Sequence, residues 1–450
     1  MPHPEHPRRS QTSSSGDQTR RRTQRNKAFH SSHIPLQSHS SLDLDTTRVN
    51  GPLSFLNPTS ANFNPNSKFG KHVEPHSTHI REDEESEAHE KSSEDTQPAS
   101  SVAYKWTSRN NRKGRHTLLV NPAYAKSSAK YTTPAPTASL RGIAQGILRM
   151  VTTYPIWDIS YDVAVLFTLG SVVWVINAFF VFLPLIKPST EFKNEELTGG
   201  GITAFIGATI FEIGSILLLF ESINESRTGC FGWAVSQALE DHTLQFHPSG
   251  QTCVHHHRNK RSLGGTASSS HDSIAESDKT WTWWPSTHDL LTHHLHSLGF
   301  LASFTQFLAA SVFWISGFTA LPGVLNHLST GLEAGIYWTP QVLGGTGFVL
   351  SGLLFMIETQ SKWYKPALGT LGWHIGFWNT IGGLGFTLCP AFGYDTHSWA
   401  QYQASCSTFW GSWAFLIGSA IQWYESLGKW PVEVDKNIGV GVETKDDSGS

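Results

Sequence analysis

Six long apolar runs constrain the fold of this chain more than any other feature. Each is about 20 residues long, the length of helix that crosses the hydrocarbon core of a bilayer. The last four contain no Asp, Glu, Lys or Arg, and none of the six shows the polar face of a helix on a soluble protein. The sequence therefore predicts an all-α membrane protein with six transmembrane helices. The runs are 163–184, 201–220, 298–321, 335–357, 371–390 and 407–424.

Residues 1–138 have the opposite composition. They are rich in Ser, Thr, His, Asn, Pro and charged residues, and their few large apolar residues are not clustered. Such a segment buries too little apolar surface to offset the entropy lost on ordering. The sequence therefore predicts a long disordered N-terminal tail. The mean hydropathy of −0.24 averages this tail with the apolar remainder.

The charge pattern bears on partners and orientation. A formal net charge of −3 gives no reason to expect a nucleic acid as partner. The basic cluster RRRTQRNK at 20–27 fits a solvated patch best, with a nuclear signal or a contact with anionic lipid as alternatives. Lys and Arg are absent from the loops after the third and fifth runs and frequent on the other side. This bias predicts that both termini are cytoplasmic, in the plasma membrane or an endomembrane.

One spacing of small, aromatic and acidic residues occurs three times, in the second, fourth and sixth runs. A Gly is followed by Phe after four residues, by a Gly/Ser pair after three more, and by Glu after a further seven. These steps place the small residues and the Phe on one stripe of a helix, where small residues allow close helix packing in a membrane. The positions are Gly207, Phe211, Gly214 and Glu221; Gly344, Phe348 and Glu358; and Gly411, Phe415, Gly418 and Glu425.

The repeated spacing predicts a two-helix hairpin used three times. Because each unit has an even number of helices, the copies should be parallel and related by an axis near the membrane normal. The Glu that ends each copy falls at the predicted cytoplasmic end. In the favoured interpretation the spacing serves helix packing, and the Glu accepts a hydrogen bond from a neighbouring Lys or lies in the water of the lipid headgroups. The alternative is three carboxylates that ring a cytoplasmic vestibule.

The apolar runs and the charges divide the chain into seven predicted parts. The stretch SLRGIAQGILRMV at 139–151 places apolar residues on one side, as in a helix that lies on a membrane surface. The parts are a disordered cytoplasmic tail (1–138), an amphipathic interfacial lead-in (139–160), the first transmembrane hairpin (161–222), a partly disordered cytoplasmic insertion (223–297), the second hairpin (298–360), the third hairpin (361–428) and a cytoplasmic C-terminal tail (429–450).

The motif FWGSWAFLIGSAIQWYES at 409–426 and its two relatives resemble the small two-helix YrhK-like domain. The stretches FWISGFTALPG and GWHIGFWNTIGGLGF resemble segments of a family of fungal multipass integral membrane proteins. The resemblance covers about 156–431 and leaves the N-terminal tail out. It implies a membrane protein with repeated helical hairpins, and it implies no particular activity.

Glu212 is the only charged residue deep inside a predicted span. An ionised carboxylate at mid-bilayer costs roughly 3 kcal/mol unless it is paired or hydrated. We therefore expect Glu212 to face the bundle interior or water, near His374, Asn177, Asn379 or Gln306. It is interpreted either as an ion- or proton-binding group, together with His374, Asn177 and Asn379, or as a neutral acid that hydrogen-bonds between helices.

Histidines are concentrated in the insertion, as HHH at 255–257 and HDLLTHHLH at 288–296. Membrane di-iron oxygenases use several His boxes as metal ligands, whereas this chain offers one imperfect box. An interfacial amphipathic helix over 286–296 is the favoured interpretation. The sequence therefore predicts no metal, no cofactor and no catalytic residue.

Cys389 and Cys406 flank the last non-cytoplasmic loop, 17 residues apart. An oxidising compartment and a hairpin geometry would allow a disulfide between them. The alternative is a pair of buried apolar thiols.

Two classes of function fit these observations. One is a non-enzymatic structural or scaffold-like membrane component, which the packing-like motifs and the scarcity of buried charge favour. The alternative is a transporter or channel with an interior path near Glu212. The lipid bilayer is the predicted partner, with anionic lipid contacts through the basic segments.

Overall fold

Long helices dominate the protein. The computed structural model describes residues 29–30, 34, 42–65, 102–121, 136–240 and 281–435. The α-helices in this part of the chain are α1 (Ser108–Arg112), α2 (Leu140–Thr152), α3 (Ile159–Ile186), α4 (Gly201–Ile223), α5 (Phe231–Glu240), α6 (Thr287–Thr292), α7 (Leu298–Thr319), α8 (Thr330–Glu333), α9 (Thr339–Glu358), α10 (Leu371–Gly393) and α11 (Ser398–Ser426). Two π-helical turns lead into α4 and α9, at Glu195–Gly200 and Ala334–Trp338.

The six longest helices, which carry the six apolar runs, form a ring. In chain order, α3 packs on α4, α4 on α7, α7 on α9, α9 on α10 and α10 on α11. The ring closes because α11 packs back on α3. Consecutive long helices are therefore neighbours, and a common axis runs between them.

In the part of the chain that the structure describes, four helical segments are long and apolar enough to cross a membrane. They are Ile159–Ile186, Glu195–Ile223, Leu298–Thr319 and Thr330–Glu358. The sequence predicts six such spans, and this prediction is confirmed for these four. The other two long helices, α10 and α11, have 23 and 29 residues but a more mixed composition, and α11 begins with the polar stretch SWAQYQASCST.

A small sheet accompanies the helices. Its strands are β1 (Leu42–Asn50), β2 (Ser60–Pro65), β3 (Val102–Thr107), β4 (Thr117–Val120) and β5 (Val432–Val434). They lie in the order β1-β2-β3-β4-β5, with antiparallel pairs except for the parallel pair β4–β5. The prediction of an all-α fold is therefore wrong in this respect.

Four of these strands also correct the prediction of a tail that is disordered throughout 1–138. Strands β1 to β4 lie at 42–65 and 102–120, inside that range. They bury a small core of Val49, Ala61, Phe63, Tyr104 and Trp106. The sheet closes this core although the large apolar residues are sparse in sequence, because antiparallel pairing brings them to one face. The rest of the predicted tail lies mainly outside the described residues.

The sheet is strongly curled. Arg48 on β1 and Asp435 just after β5 form an ion pair, with Nη1 2.9 Å from Oδ2. In a flat sheet the first and fifth strands would be about 19 Å apart, which is farther than one Arg and one Asp side chain span. The two edges of the sheet must therefore approach each other, and the C-terminal segment completes a structure begun by the N-terminal strands.

Two layers of aromatic rings fill the axis of the helix ring. Phe211, Phe348 and Phe415 contact one another, with ring centroids 5.6–6.5 Å apart. A second layer consists of Trp174, Phe313 and Phe386, with centroids 4.9–5.7 Å apart. Edge-to-face packing of this kind is the preferred arrangement of aromatic side chains. The axis is closed by side chains at both levels.

The predicted interfacial lead-in contains the helix α2. Ser139 caps its first turn by accepting from the N–H of Gly142 at 3.1 Å. No residue of α2 is buried, and Leu140 and Val151 are 88 % and 63 % exposed. The helix touches the bundle where Gly146 lies against the ring of Tyr424. An apolar surface left open in this way suits contact with lipid.

Candidate functional site

A short basic segment projects from the sheet toward the helix ring. The segment is 108–115, with the sequence SRNNRKGR, and it links β3 to β4. Thr107 caps its helix α1 by accepting from the N–H of Asn110 at 3.1 Å. Gly114 has φ of 59°, a left-handed conformation that glycine adopts without strain. The turn places four cations within seven residues: Arg109, Arg112, Lys113 and Arg115.

The basic segment pairs with Glu358 at the end of α9. Arg112 donates from Nη1 to Oε1 at 2.7 Å and from Nη2 to Oε2 at 2.9 Å. Ser108 Oγ also donates to Glu358 Oε1, at 2.8 Å. Two parallel bonds from a guanidinium to a carboxylate are the strongest and most directional form of this contact.

The same segment pairs with the other two repeat glutamates. Arg109 Nη2 lies 2.6 Å from Glu425 Oε2, and Arg115 Nη1 lies 2.8 Å from Glu425 Oε1. Lys113 Nζ lies 3.4 Å from Glu221 Oε1. All three carboxylates that end the repeated spacing therefore meet cations of residues 108–115. We call this layer of three carboxylates and four cations the ionic layer.

Burial sets the energetics of the ionic layer. Every side chain in these pairs is at most 10 % exposed. Desolvation is the largest single effect on Arg112 and lowers its pKa, but the charge and hydrogen bonds of Glu358 together with the charges of Glu221 and Glu225 outweigh it, and the net result is a raised pKa. For Lys113 desolvation is the larger effect, only partly opposed by Glu221, and its pKa falls to about 8. Buried pairs of this kind are costly to break, because the remaining charge is left without a partner or water.

Two residues that follow α11, Gly428 and Lys429, also bind the basic segment. Lys429 Nζ donates to the carbonyl of Lys113 at 2.8 Å and pairs with Asp158 Oδ2 at 2.7 Å. Arg115 Nε donates to the carbonyl of Gly428 at 2.9 Å. Since Asp158 also caps the start of α3, these contacts tie the sheet to the helix ring at its first and last helices.

Two glycines leave room for the arginines at helix starts. Gly299 is the second residue of α7, and a Cβ there would lie 1.7 Å from Arg112 Nη1 and 2.6 Å from Glu358 Oε1. Gly372 is the second residue of α10, and a Cβ there would lie 2.5 Å from Arg109 Nε. The close approach of guanidinium groups to these helices therefore requires glycine at both positions.

A cavity of about 30 Å³ lies on the axis between the ionic layer and the aromatic layers. Arg109, Arg112 and Lys113 line one side, and Phe211 and Phe415 line another. Five polar side chains also line it: Ser171, Gln306, Asn379, Ser419 and Gln422. The rest of the lining is apolar, from Phe167, Leu218, Phe355 and Ile375, so that the cavity has a polar part in mainly apolar surroundings.

The residues predicted to act together near Glu212 are not brought together. Glu212 Oε1 accepts from Ser311 Oγ at 2.9 Å, between α4 and α7, and its buried Oε2 has no hydrogen-bond partner within the described ranges. Asn177 donates to the carbonyl of Gly200 at 2.6 Å. His374 Nε2 hydrogen-bonds with the carbonyl of Leu368 at 2.8 Å. Of the residues predicted to lie near Glu212, Asn379 and Gln306 both line the axial cavity, and Glu212 does not.

The small residues of the repeated spacing lie at helix contacts. Gly207 faces the Trp174 ring, Gly344 faces Phe313, and Gly411 faces Gly385. Gly214 and Gly418 face Phe167 and Asn379. In each case a Cβ would lie within 3.4 Å of the neighbour. The interpretation of these positions as close-packing sites agrees with this geometry.

The predicted disulfide is absent. Cys389 and Cys406 are both free thiols. Cys389 lies within hydrogen-bonding reach of the Thr408 side chain on α11. Since residues two apart on a helix point to different sides, α11 turns Thr408 toward Cys389 and Cys406 elsewhere. The alternative was a pair of buried apolar thiols, and the structure shows two thiols that are only partly buried.

The histidines of the insertion fall into two groups. His255 to His257 lie outside the described residues. The predicted helix over 286–296 is shorter than expected: α6 ends at Thr292 and a 3₁₀ turn follows at His294–His296. Among the described residues no group of three His, Cys, Asp or Glu side chains has the arrangement of a metal site.

The cations of the ionic layer were missed by sequence reasoning, which assigned residues 108–115 to a disordered tail. A usable signal was present. The repeat ends three apolar helices with a glutamate, and SRNNRKGR is a dense group of cations between two short apolar stretches, VAYKWT and TLLV.

Comparison of the chain with protein-family models, with curated proteins and with solved structures gives no match.

Proposed function

We propose that this protein is a non-enzymatic structural component of a membrane, in which a six-helix bundle anchors the small sheet and holds it against one end. The observation that carries the proposal is the ionic layer. Three buried carboxylates from α4, α9 and α11 are each matched by cations from residues 108–115. Buried ion pairs between the basic segment and the helices hold the sheet in a fixed position on the bundle.

The filled axis also supports a structural role. The two aromatic layers and the ionic layer lie in series, and a cavity of about 30 Å³ separates the ionic layer from the aromatic rings. A conduit requires continuous polar or hydrated space, as in channels and transporters. Glu212 lies off this axis on Ser311, so that it does not supply a polar step along it.

We propose further that α10 and α11 also span the membrane, which gives six spans and three hairpins. At 1.5 Å per residue, the 23 residues of α10 reach about 35 Å, more than the thickness of a bilayer core. Large apolar side chains remain exposed along both helices, including Leu384, Leu388, Trp413 and Ile417. Lipid is the environment that suits them, and the Lys and Arg distribution favours the sheet on the cytoplasmic side. The repeated hairpin and its resemblance to YrhK-like domains belong to this proposal.

Site-directed labelling tests the six spans. Single cysteines replace Lys105 on the sheet and His397 between α10 and α11, in a background without native cysteines. A membrane-impermeant thiol reagent should label the two positions from opposite sides of sealed vesicles. Labelling of both from one side would show that α10 and α11 do not cross.

A flux measurement separates the structural role from transport. The full chain, reconstituted in vesicles, should show no movement of protons, chloride, potassium or sodium above that of empty vesicles. Phe348→Ala, which removes one ring of the axial layer, serves as a variant that opens space on the axis. Flux through the unmodified protein that Glu212→Gln abolishes would replace the structural role with a transporter or channel.

A further inference from the structure

The lining of the axial cavity carries charge of one sign only. Arg109, Arg112 and Lys113 face it, and no carboxylate is among the described residues that line it. The acidic partners, Glu221, Glu358 and Glu425, contact these cations but do not line the cavity. The ionic layer as a whole holds four cations and three carboxylates, but the cations are the charges nearest to an occupant of the cavity, so that an anion there is attracted at shorter range than it is repelled.

Two of these cations keep hydrogen-bonding capacity that the protein does not use. Arg112 is only 2 % exposed, and its Nε has no hydrogen-bond partner among the described residues. Lys113 Nζ carries three donors, and its contact with Glu221 is long, at 3.4 Å. A buried donor without an acceptor costs about 1–3 kcal/mol. An acceptor in the cavity would remove this cost.

The walls of the cavity offer further donors. Gln306, Asn379 and Gln422 come from three helices, α7, α10 and α11, and each has a carboxamide NH₂ group. The remaining lining is apolar and comes from Phe167, Phe211, Leu218, Phe355, Ile375 and Phe415. A cavity lined by cations, by amide donors and by apolar side chains suits a small anion, because such an ion accepts hydrogen bonds on one side and tolerates apolar contacts on the other.

The size of the cavity limits what it can hold. Its volume is about 30 Å³, and one water molecule requires about 10–15 Å³ on this measure. The cavity therefore accommodates one monatomic halide or about two waters. Polyatomic ligands with long substituents are excluded.

We propose that this cavity binds a single chloride ion, held by Arg112 and Lys113 from the basic segment and by the carboxamides of the bundle. The ion would lie between the sheet's basic segment and the helices, and would add a third component to the ionic layer. This proposal does not depend on the structural role, because an occluded ion binds whether or not the protein moves ions across a membrane.

Thermal unfolding in matched salts tests the proposal. The full chain in detergent is heated in sodium chloride and in sodium gluconate at equal ionic strength. We expect Tm to rise with chloride in a saturable manner, since a ligand bound to the folded state alone stabilises it. Gln422→Leu removes one donor from the wall and should raise the half-saturating chloride concentration about tenfold or more.

Gln341→Leu is the matched control. Gln341 is also a buried glutamine of a long helix, but it donates to the carbonyl of Tyr337 and does not line the cavity. This variant can lower Tm in both salts, and its half-saturating chloride concentration should stay that of the parent. Crystals grown in bromide should show an anomalous peak between Arg112 and Gln422.

Three results would overturn the proposal. Equal Tm values in chloride and gluconate would show that the cavity holds water alone. A chloride response unchanged by Gln422→Leu would place the ion elsewhere. A bromide peak only on the protein surface would have the same meaning.

Discussion

Arg112 donates two hydrogen bonds to Glu358, of 2.7 and 2.9 Å, although 246 residues of sequence separate them. Neither side chain has more than 3 % of its surface exposed. Arg112 belongs to the segment that links β3 to β4, and Glu358 is the last residue of α9. This ion pair therefore holds the sheet against the helix ring. Its burial means that neither charge has water to replace a lost partner.

Glu358→Gln should therefore lower the stability of the whole protein strongly. The variant keeps the shape of the side chain but leaves the Arg112 guanidinium without its counter-charge. We expect a loss of about 3–5 kcal/mol in the free energy of unfolding, measured by denaturant titration in detergent. The double variant Arg112→Met with Glu358→Leu should recover part of this loss, because it leaves no buried charge unpaired.

A surface pair provides the control for this prediction. Lys105 and Glu433 lie 2.6 Å apart between β3 and β5, but their side chains are 31 % and 48 % exposed. Lys105→Met should cost at most about 1 kcal/mol. A similar loss in both variants would contradict the assignment of Glu358 to a buried fastening.

Gly299→Ala should disturb the same contact from the helix side. The added Cβ would lie 1.7 Å from Arg112 Nη1, and the guanidinium cannot move away without breaking its bonds to Glu358. We expect destabilisation of about 1–3 kcal/mol, as for overpacking in a core. Gly331→Ala is the control, since nothing lies within 4 Å of its Cβ position; equal effects of both would argue against a steric cause.

Lys113 should make stability depend on pH in the alkaline range. Burial lowers its pKa from 10.5 to about 8 in the folded protein. Between these values the unfolded chain still holds the proton that the folded chain has released, so that the free energy of unfolding rises with pH. Below about pH 8 both states hold the proton, and this contribution no longer changes with pH.

The measurement is the denaturant midpoint from pH 7 upward. The slope due to Lys113 should be at most about 1.4 kcal/mol per pH unit. Lys113→Met should lack the rise, and Lys105→Met should retain it. A rise that survives in Lys113→Met would assign the titration to another group.

Glu212→Gln should leave the fold almost unchanged. The glutamine keeps an oxygen that can accept from Ser311 Oγ, the contact made by Glu212 Oε1 at 2.9 Å. Hydrogen bonds between helices in membranes contribute about 0.6 kcal/mol on average, and we expect a change below about 1 kcal/mol. Thermal unfolding of the purified variant checks this. A much larger loss would indicate that the ionised carboxylate has a partner beyond Ser311.

The helical part of the protein could be predicted well, because its signal is local. Apolar runs and the recurring Gly, Phe and Glu are visible within 20 residues, and the structure places Phe211, Phe348 and Phe415 in one layer. The Glu positions were also identified, but their partners were not. Arg109 and Arg115 lie more than 300 residues from Glu425, and no local pattern shows such a pairing.

The sheet was missed for a related reason. Its strands are short, they lie in a polar context, and β3 and β4 have only 6 and 4 residues. Their apolar residues become a core only when five separate segments meet, one of them after the last helix. The disulfide between Cys389 and Cys406 was predicted from an oxidising compartment and a hairpin geometry, neither of which gives the direction in which each thiol points along its helix.

The position of β5 has a consequence for the making of the protein. A ribosome translates the basic segment early, and the carboxylate that binds Arg109 follows 316 residues later. Strand β5, which pairs with β4, comes later still. Lys113 and Arg112 can pair with Glu221 and Glu358 as soon as these are made, whereas Arg109 waits for Glu425 in the last helix. The sheet therefore gains its fifth strand only after every helix of the ring has been translated, so that the first part of the protein to be made is among the last to reach its final structure.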